Sequence, residues 1–136
     1  MTSAYKLEFA VKRLIIRDNH MLALHKPTAR MFELPGGRME FGETIEQTLQ
    51  REMLEESGLH VQPLMLVDTW YLYREQYQLA GIIYLCSAPD DEQVVISDEH
   101  DAFEWLPIDQ FARIHPIFSA KMPNWNWEML KTYTQN

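Results

Sequence analysis

A single cysteine, Cys86, stands in 136 residues, so no disulfide can form within the chain. Basic residues are scarce as well. Twelve Lys and Arg face 20 Asp and Glu for a net charge of -8, which counts against a nucleic-acid duplex or an anionic membrane surface as partner. Long apolar runs are missing. The longest, at residues 64–67 and 82–86, are strand-sized and far short of the roughly 20 residues a membrane span needs. Lys6, Glu8, Lys12 and Arg13 interrupt the stretch in which a signal peptide would carry its apolar core, so the expected location is cytoplasmic. With 5 Gly and 7 Pro, collagen-like and low-complexity chains are excluded.

What is present describes an ordinary globular chain. Apolar residues make up 46% of it, and the length suits one domain over residues 1–136. Alternation and β-branched residues predict a strand at 7–16, turned by Asp18, Asn19 and His20 into a second at 21–25. A short extended segment then runs from Glu33 through Leu34 and Pro35 into the pair Gly36-Gly37. Residues 44–57 contain no Gly or Pro, begin with a capping box of Thr44 and Gln47, and are followed by Gly58, the signature of a four-turn helix. Strands are expected at 61–73 and 77–87, a solvated acidic loop at 89–93 and a short strand at 103–106. A helix start follows at 107–111 and a terminal helix at 124–133. The order of elements indicates an α+β unit.

The helix at 44–57 breaks its own amphipathic pattern. Ile45 and Leu49 begin an apolar stripe that Met53 continues, yet positions 52 and 56, which share that face, are glutamates. Glu52, Glu55 and Glu56 stand at i, i+3 and i+4 on an arc overlapping the stripe, so the pattern aims three carboxylates toward the fold. Like charges at that spacing repel by about 0.2–0.5 kcal/mol per pair, and Arg51 alone cannot balance three. A bound cation resolves the arrangement. Clustered oxygens without cysteine or paired histidine suit Mg²⁺, with Mn²⁺ as a substitute, better than zinc. Glu40 and Glu43 add carboxylates just upstream, and a backbone carbonyl of the glycine pair, assigned to Gly36, offers a further oxygen. Mg²⁺ in such sites completes its shell with water and substrate phosphates.

Gly37, Glu43 and the run Arg51-Glu52-Met53-Leu54-Glu55-Glu56-Ser57-Gly58-Leu59 match every fixed position of the Nudix box, G-x5-E-x7-R-E-U-x-E-E-x-G-U. The chain resembles a Nudix hydrolase over these 23 residues. The resemblance implies a mixed β-sheet sandwiched between α-helices and hydrolysis of the pyrophosphate linkage in a nucleoside diphosphate derivative. It further implies that Glu52, Glu55 and Glu56 ligate metal, that Arg51 orients a glutamate by a salt bridge, and that Glu43 supports the site. Glu52 is the in-motif candidate for general base. Many Nudix enzymes use a glutamate outside the box, and here Glu99 is preferred over Asp101 and Glu104. Nudix proteins are often dimers, so a homodimer is one implied assembly, although the sequence leaves oligomeric state open.

Substrate readers are less legible. Arg38 is the candidate phosphate clamp, with Lys26, Arg30 and Arg74 as other cations. Tyr77, 18 residues beyond Leu59, is similar to a tyrosine marker of Nudix enzymes acting on diadenosine polyphosphates. Asn124 loosely resembles the asparagine by which the oxidised-guanine branch reads its base, against its commoner role as a helix N-cap. Trp70, Tyr71, Tyr73, Trp105, Trp125 and Trp127 are expected mainly as core. The five histidines lack ligand spacing and are expected to be satisfied or superficial, and Cys86 to be a small buried hydrophobe. The expected substrate is a small nucleotide, foremost a nucleoside triphosphate. Diadenosine polyphosphates, nucleotide sugars and a non-catalytic nucleotide-binding role stand as alternatives.

Overall fold

The computed structural model describes residues 5–134; residues 1–4 and 135–136, the ends of the expected domain, lie outside them. The first strand, β1 (Lys6–Arg17), is buried on both faces: Ala10, Leu14 and Ile16 enter one apolar cluster, Val11 and Ile15 another. Alternation by two assigns successive side chains to opposite faces, so β1 lies between two packed layers. Asp18 and Asn19, at φ 49° and 61°, make the tight turn into β2 (His20–Lys26). That hairpin pairs over only Ile16↔Met21 and Arg17↔His20 before the strands part, which frees the same edge of β1 for another partner.

The partner is β4 (Gly36–Arg38), which follows β3 (Met31–Glu33) and pairs antiparallel with residues 10–12 of β1. The extended segment of the sequence is thus two short strands broken at Leu34-Pro35, β3 lying on β2 and β4 on β1. Helix α1 (Ile45–Ser57) follows, then the long hairpin β5 (Gln62–Arg74) and β6 (Tyr77–Ser87). β6 returns to lie parallel to β1, in unbroken register from Lys6↔Tyr77 to Ile15↔Cys86. The sheet order is β3-β2-β1-β6-β5, with β4 on β1 and β7 (Ala102–Pro107) on β2. Leu49, Met53, Leu59 and Val61 pack from the α1 side; Phe118, Met122 and Leu130 pack from the other, so helices cover both faces as expected.

Three local expectations change. Pro107 ends β7 instead of opening a helix; the chain turns through a 3-10 segment at Phe111–Arg113 into α2 (Pro116–Ser119). The terminal helix α3 is Trp127–Thr134, and Asn124 closes a separate 3-10 turn. The cap of α3 is Asn126, whose Oδ1 accepts from Met129 N at 3.2 Å, because Pro123 and the turn after it hold Asn124 out of the helix axis. The acidic loop is not wholly solvated: Glu92 accepts from the backbone N and the Nδ1 of His60 at 2.9 and 2.6 Å. The Cys86 thiol is fully buried, and burial pushes its pKa up to about 12.

Candidate active site

α1 is pinned at both ends. Thr44 and Gln47 exchange the two bonds of a capping box, and Gly58, at φ 71°, donates its N–H to Leu54 O. Between these ends the carboxylates face three environments. Glu56 is buried, and its Oε1 accepts from Gly36 N at 2.7 Å. The Glu52 side chain retains 16% of its exposure and lies directly against Gly37, where a Cβ would run into its carboxylate. Glu55, at 60%, stands largely in solvent. The expectation that all three point inward is corrected for Glu55: an arc of about 100° is wider than the strip that β1 and β4 cover.

Arg51 ties the outer part together. Its Nε and Nη2 reach the two oxygens of Glu43 at 2.6 and 2.9 Å, and its Nη1 reaches Glu52 at 2.8 Å and Glu55 at 3.4 Å. Nη2 also donates to Arg38 O at 3.0 Å, which binds the helix to the end of β4. Glu43 accepts further from Glu40 N and Thr48 Oγ1, and the Arg51 bond foremost holds its carboxyl down at about 2. The fork geometry of a guanidinium suits this bidentate role.

Beneath the helix lies a second group of charges that the sequence reading passed over. Lys12 Nζ stands 3.3 Å from Gly36 O and 3.5 Å from Glu33 Oε1. His100 donates through Nε2 to the same Glu33 oxygen at 3.2 Å, while its Nδ1 lies 3.9 Å from Glu56 Oε2. Burial works against the charge on Glu33, but the His100 bond and the Lys12 and Lys26 charges outweigh it and bring its pKa down to about 2. Glu56 moves the other way. Burial pushes it up to about 7, against the charges of Lys12, Arg13 and His100. Arg13, fully buried, donates to the helix carbonyls of Thr48 at 3.0 Å and Leu49 at 2.5 Å, and so braces α1 on β1. Two adjacent cations inside an otherwise apolar strand were the available signal for this layer.

These groups open onto a cleft of about 420 Å³. Gly36, Gly37, Glu52 and Glu56 form one end; Trp70, Leu72, Leu79, Ile117 and Phe118 form an apolar wall, in which Trp70 and Phe118 meet edge to face at 5.1 Å. Arg38 and Tyr77 stand together at the rim, the guanidinium donating to the phenol oxygen at 2.7 and 3.2 Å and pairing with Glu8 at 3.0 Å. Glu99 also lines the cleft. Its two competitors are engaged elsewhere, Asp101 with His25 at 2.6 Å and Glu104 with Arg113. Asn124 is exposed and takes no part in the lining, and Tyr71 and Tyr73 are exposed on β5. His115 lines the cleft floor, and burial holds its pKa below the usual histidine value.

The donor set is built of hard oxygens: buried Glu56, partly covered Glu52 and the Gly36 carbonyl, one side of which is taken by Lys12. Such a set fits Mg²⁺ or Mn²⁺. His100 departs from the expectation that the histidines are satisfied or superficial: it is buried beside Glu56, with Nε2 paired and Nδ1 without a partner among the described residues.

Comparison with known proteins agrees with this geometry. The NUDIX domain family matches residues 7–133. The Escherichia coli CTP pyrophosphohydrolase is 29% identical over 125 residues, covering 87% of this chain and 88% of that protein. The human protein named 8-oxo-dGDP phosphatase NUDT18 is 62% identical over 35 residues, covering 26% of this chain. The chain spans 21% or less of the length of some curated relatives it matches, and 11% of the human protein. Among solved structures, the MutT protein from Methanosarcina mazei superimposes with a TM-score of 0.81 at 19% identity, covering 92% of this chain and 96% of that one. At that identity the likeness is one of fold.

Proposed function

The chain belongs to the NUDIX domain family, and from that premise we propose that it is a Mg²⁺-dependent pyrophosphohydrolase of small nucleotides, foremost a nucleoside triphosphate. The observation that carries the reading is Glu56: a buried carboxylate beside Glu52, set against a glycine turn, at the end of a nucleoside-sized cleft. Arg51 pairs with Glu52, but burial still opposes the charge on Glu56, and a divalent ion relieves that cost.

Glu52, Glu55, Glu56 and Gly36 O are the proposed ligands. When bound, the ion would neutralise phosphate oxygens and lower the pKa of an attacking water. The chain's own residues supply the rest. Arg51 holds Glu52 in place through Nη1 and is itself fixed by Glu43. Arg38 at the rim meets the phosphate chain, and the partly exposed Leu72, Leu79 and Ile117, backed by buried Trp70 and Phe118, receive the base. Glu99, across the cleft, accepts the proton of the attacking water, with Glu52 as the in-motif alternative. The triphosphate preference is supported by the Escherichia coli relative named for CTP, which matches along most of both chains. The placement of Tyr77 beside Arg38 at the rim favours diadenosine polyphosphates as the second substrate class.

The test is release of pyrophosphate or phosphate from nucleoside triphosphates, diadenosine polyphosphates and nucleotide sugars with Mg²⁺. Glu56→Gln should lower kcat by about 100-fold or more while the metal-free fold melts no lower than before. Undiminished turnover in that variant overturns the assignment; a panel without turnover overturns the enzymatic reading.

A further inference from the structure

The imidazole of His100 is buried to 2% exposure under the helix that carries the glutamates, with its two nitrogens in different positions. Nε2 lies 3.2 Å from Glu33 Oε1. A carboxylate only accepts, so this contact places the ring hydrogen on Nε2. Nδ1 then presents a lone pair, has no hydrogen-bond partner among the described residues, and faces Glu56 Oε2 at 3.9 Å. That distance is too long for a hydrogen bond. Two ligands about 2.0–2.2 Å from one ion stand about 3 Å apart when adjacent and about 4.2 Å apart when opposite, so 3.9 Å lets both atoms reach a single ion lying between them. The Glu33 contact completes the pattern in which a carboxylate on the far ring nitrogen fixes the orientation and raises the basicity of a ligating imidazole.

We propose that His100 Nδ1 joins Glu56 Oε2 in holding a transition-metal ion, which adds one nitrogen to an otherwise all-oxygen cage and makes the site favour Mn²⁺ over Mg²⁺. Mn²⁺ shares the oxygen preference of Mg²⁺ but, as a transition ion, tolerates one nitrogen ligand better, whereas Mg²⁺ demands oxygen and sheds water reluctantly. Lys12 does not occupy the position, because its ammonium pairs with Glu33 and Gly36 O. Backbone bonds hold the ring in place: Ser97 N donates to Glu56 O at 3.3 Å, and Asp101 N donates to His25 O at 3.2 Å, on either side of His100. This inference rests on the metal-dependent reading above.

Pulsed electron paramagnetic resonance on the full chain loaded with Mn²⁺ alone tests it. The expected spectrum carries ¹⁴N modulation that becomes ¹⁵N modulation when histidine is ¹⁵N-labelled. His100→Gln should remove the modulation and weaken Mn²⁺ about tenfold, with Mg²⁺ binding changed less than about twofold. His115→Gln, in the cleft floor, should leave the modulation intact. If His100→Gln does not fold, the labelled native protein and His115→Gln still decide. Bound Mn²⁺ without histidine modulation overturns the nitrogen ligand and leaves the hydrolase reading standing. Absence of any Mn²⁺ uptake overturns both.

Discussion

Gly37 has no side chain because the Glu52 carboxylate fills the place where one would be. Gly37→Ala should therefore displace Glu52 and leave the core untouched. A shift of about 1 Å in a catalytic group can cost up to 100-fold, so the expected result is a 10- to 100-fold fall in kcat with a melting temperature within about 3 °C of the parent. Paired thermal melts and steady-state rates check this, and an equal loss of stability would make Gly37 a packing residue. Arg51 belongs to the same scale. It touches Glu43, Glu52 and Glu55 at once, so Arg51→Lys, which keeps the charge and loses the fork, should cost activity although no charge is removed. A lysine variant as active as the parent would reduce its role to charge balance.

At the level of the element, α1 is set in place by its ends. Thr44→Ala removes one bond of the capping box and should cost about 1 kcal/mol, and Gly58→Ala should cost about as much, because φ 71° suits glycine better than alanine. Urea denaturation measures both, and additive losses are expected because the residues share no partner. This helix was the most legible part of the chain: its caps, its length and its misplaced glutamates are all local, so the sequence shows them directly. Glu33, Lys12 and His100 were not legible in that way. Their meeting depends on β7 pairing with β2 from His20↔Pro107 to His25↔Ala102, which draws the loop before β7 over β3. No window of sequence contains that register. Asn124 shows the opposite error, since its resemblance to a base reader rests on a short segment that the turn at Met122–Asn124 sets outside the cleft.

For the molecule as a whole, half-buried Glu33 and buried Glu56 tilt stability in opposite directions. Glu33, held near 2 against an ordinary 4.5, stabilises the fold above about pH 4.5 and loses that contribution as pH falls toward 2; the ceiling is on the order of 3 kcal/mol. Glu56, raised to about 7, prefers to be protonated when folded, so its contribution is present below about pH 4.5 and is lost as pH rises to 7. The metal-free protein should thus melt highest near pH 5, and millimolar Mg²⁺ should restore stability on the alkaline side only. A metal-free melting profile that stays level from pH 5 to 8 would contradict the assignment of Glu56. The parallel pairing of β1 with β6 carries a different consequence. Residues 6–15 wait for residues 77–86, so β1, the strand against which Arg13 braces the glutamate helix, gains its parallel neighbour only after that helix has been made. Until β6 is made, one edge of β1 is unpaired, and chains cut short before Cys86 should be cleared by proteases as unfinished products.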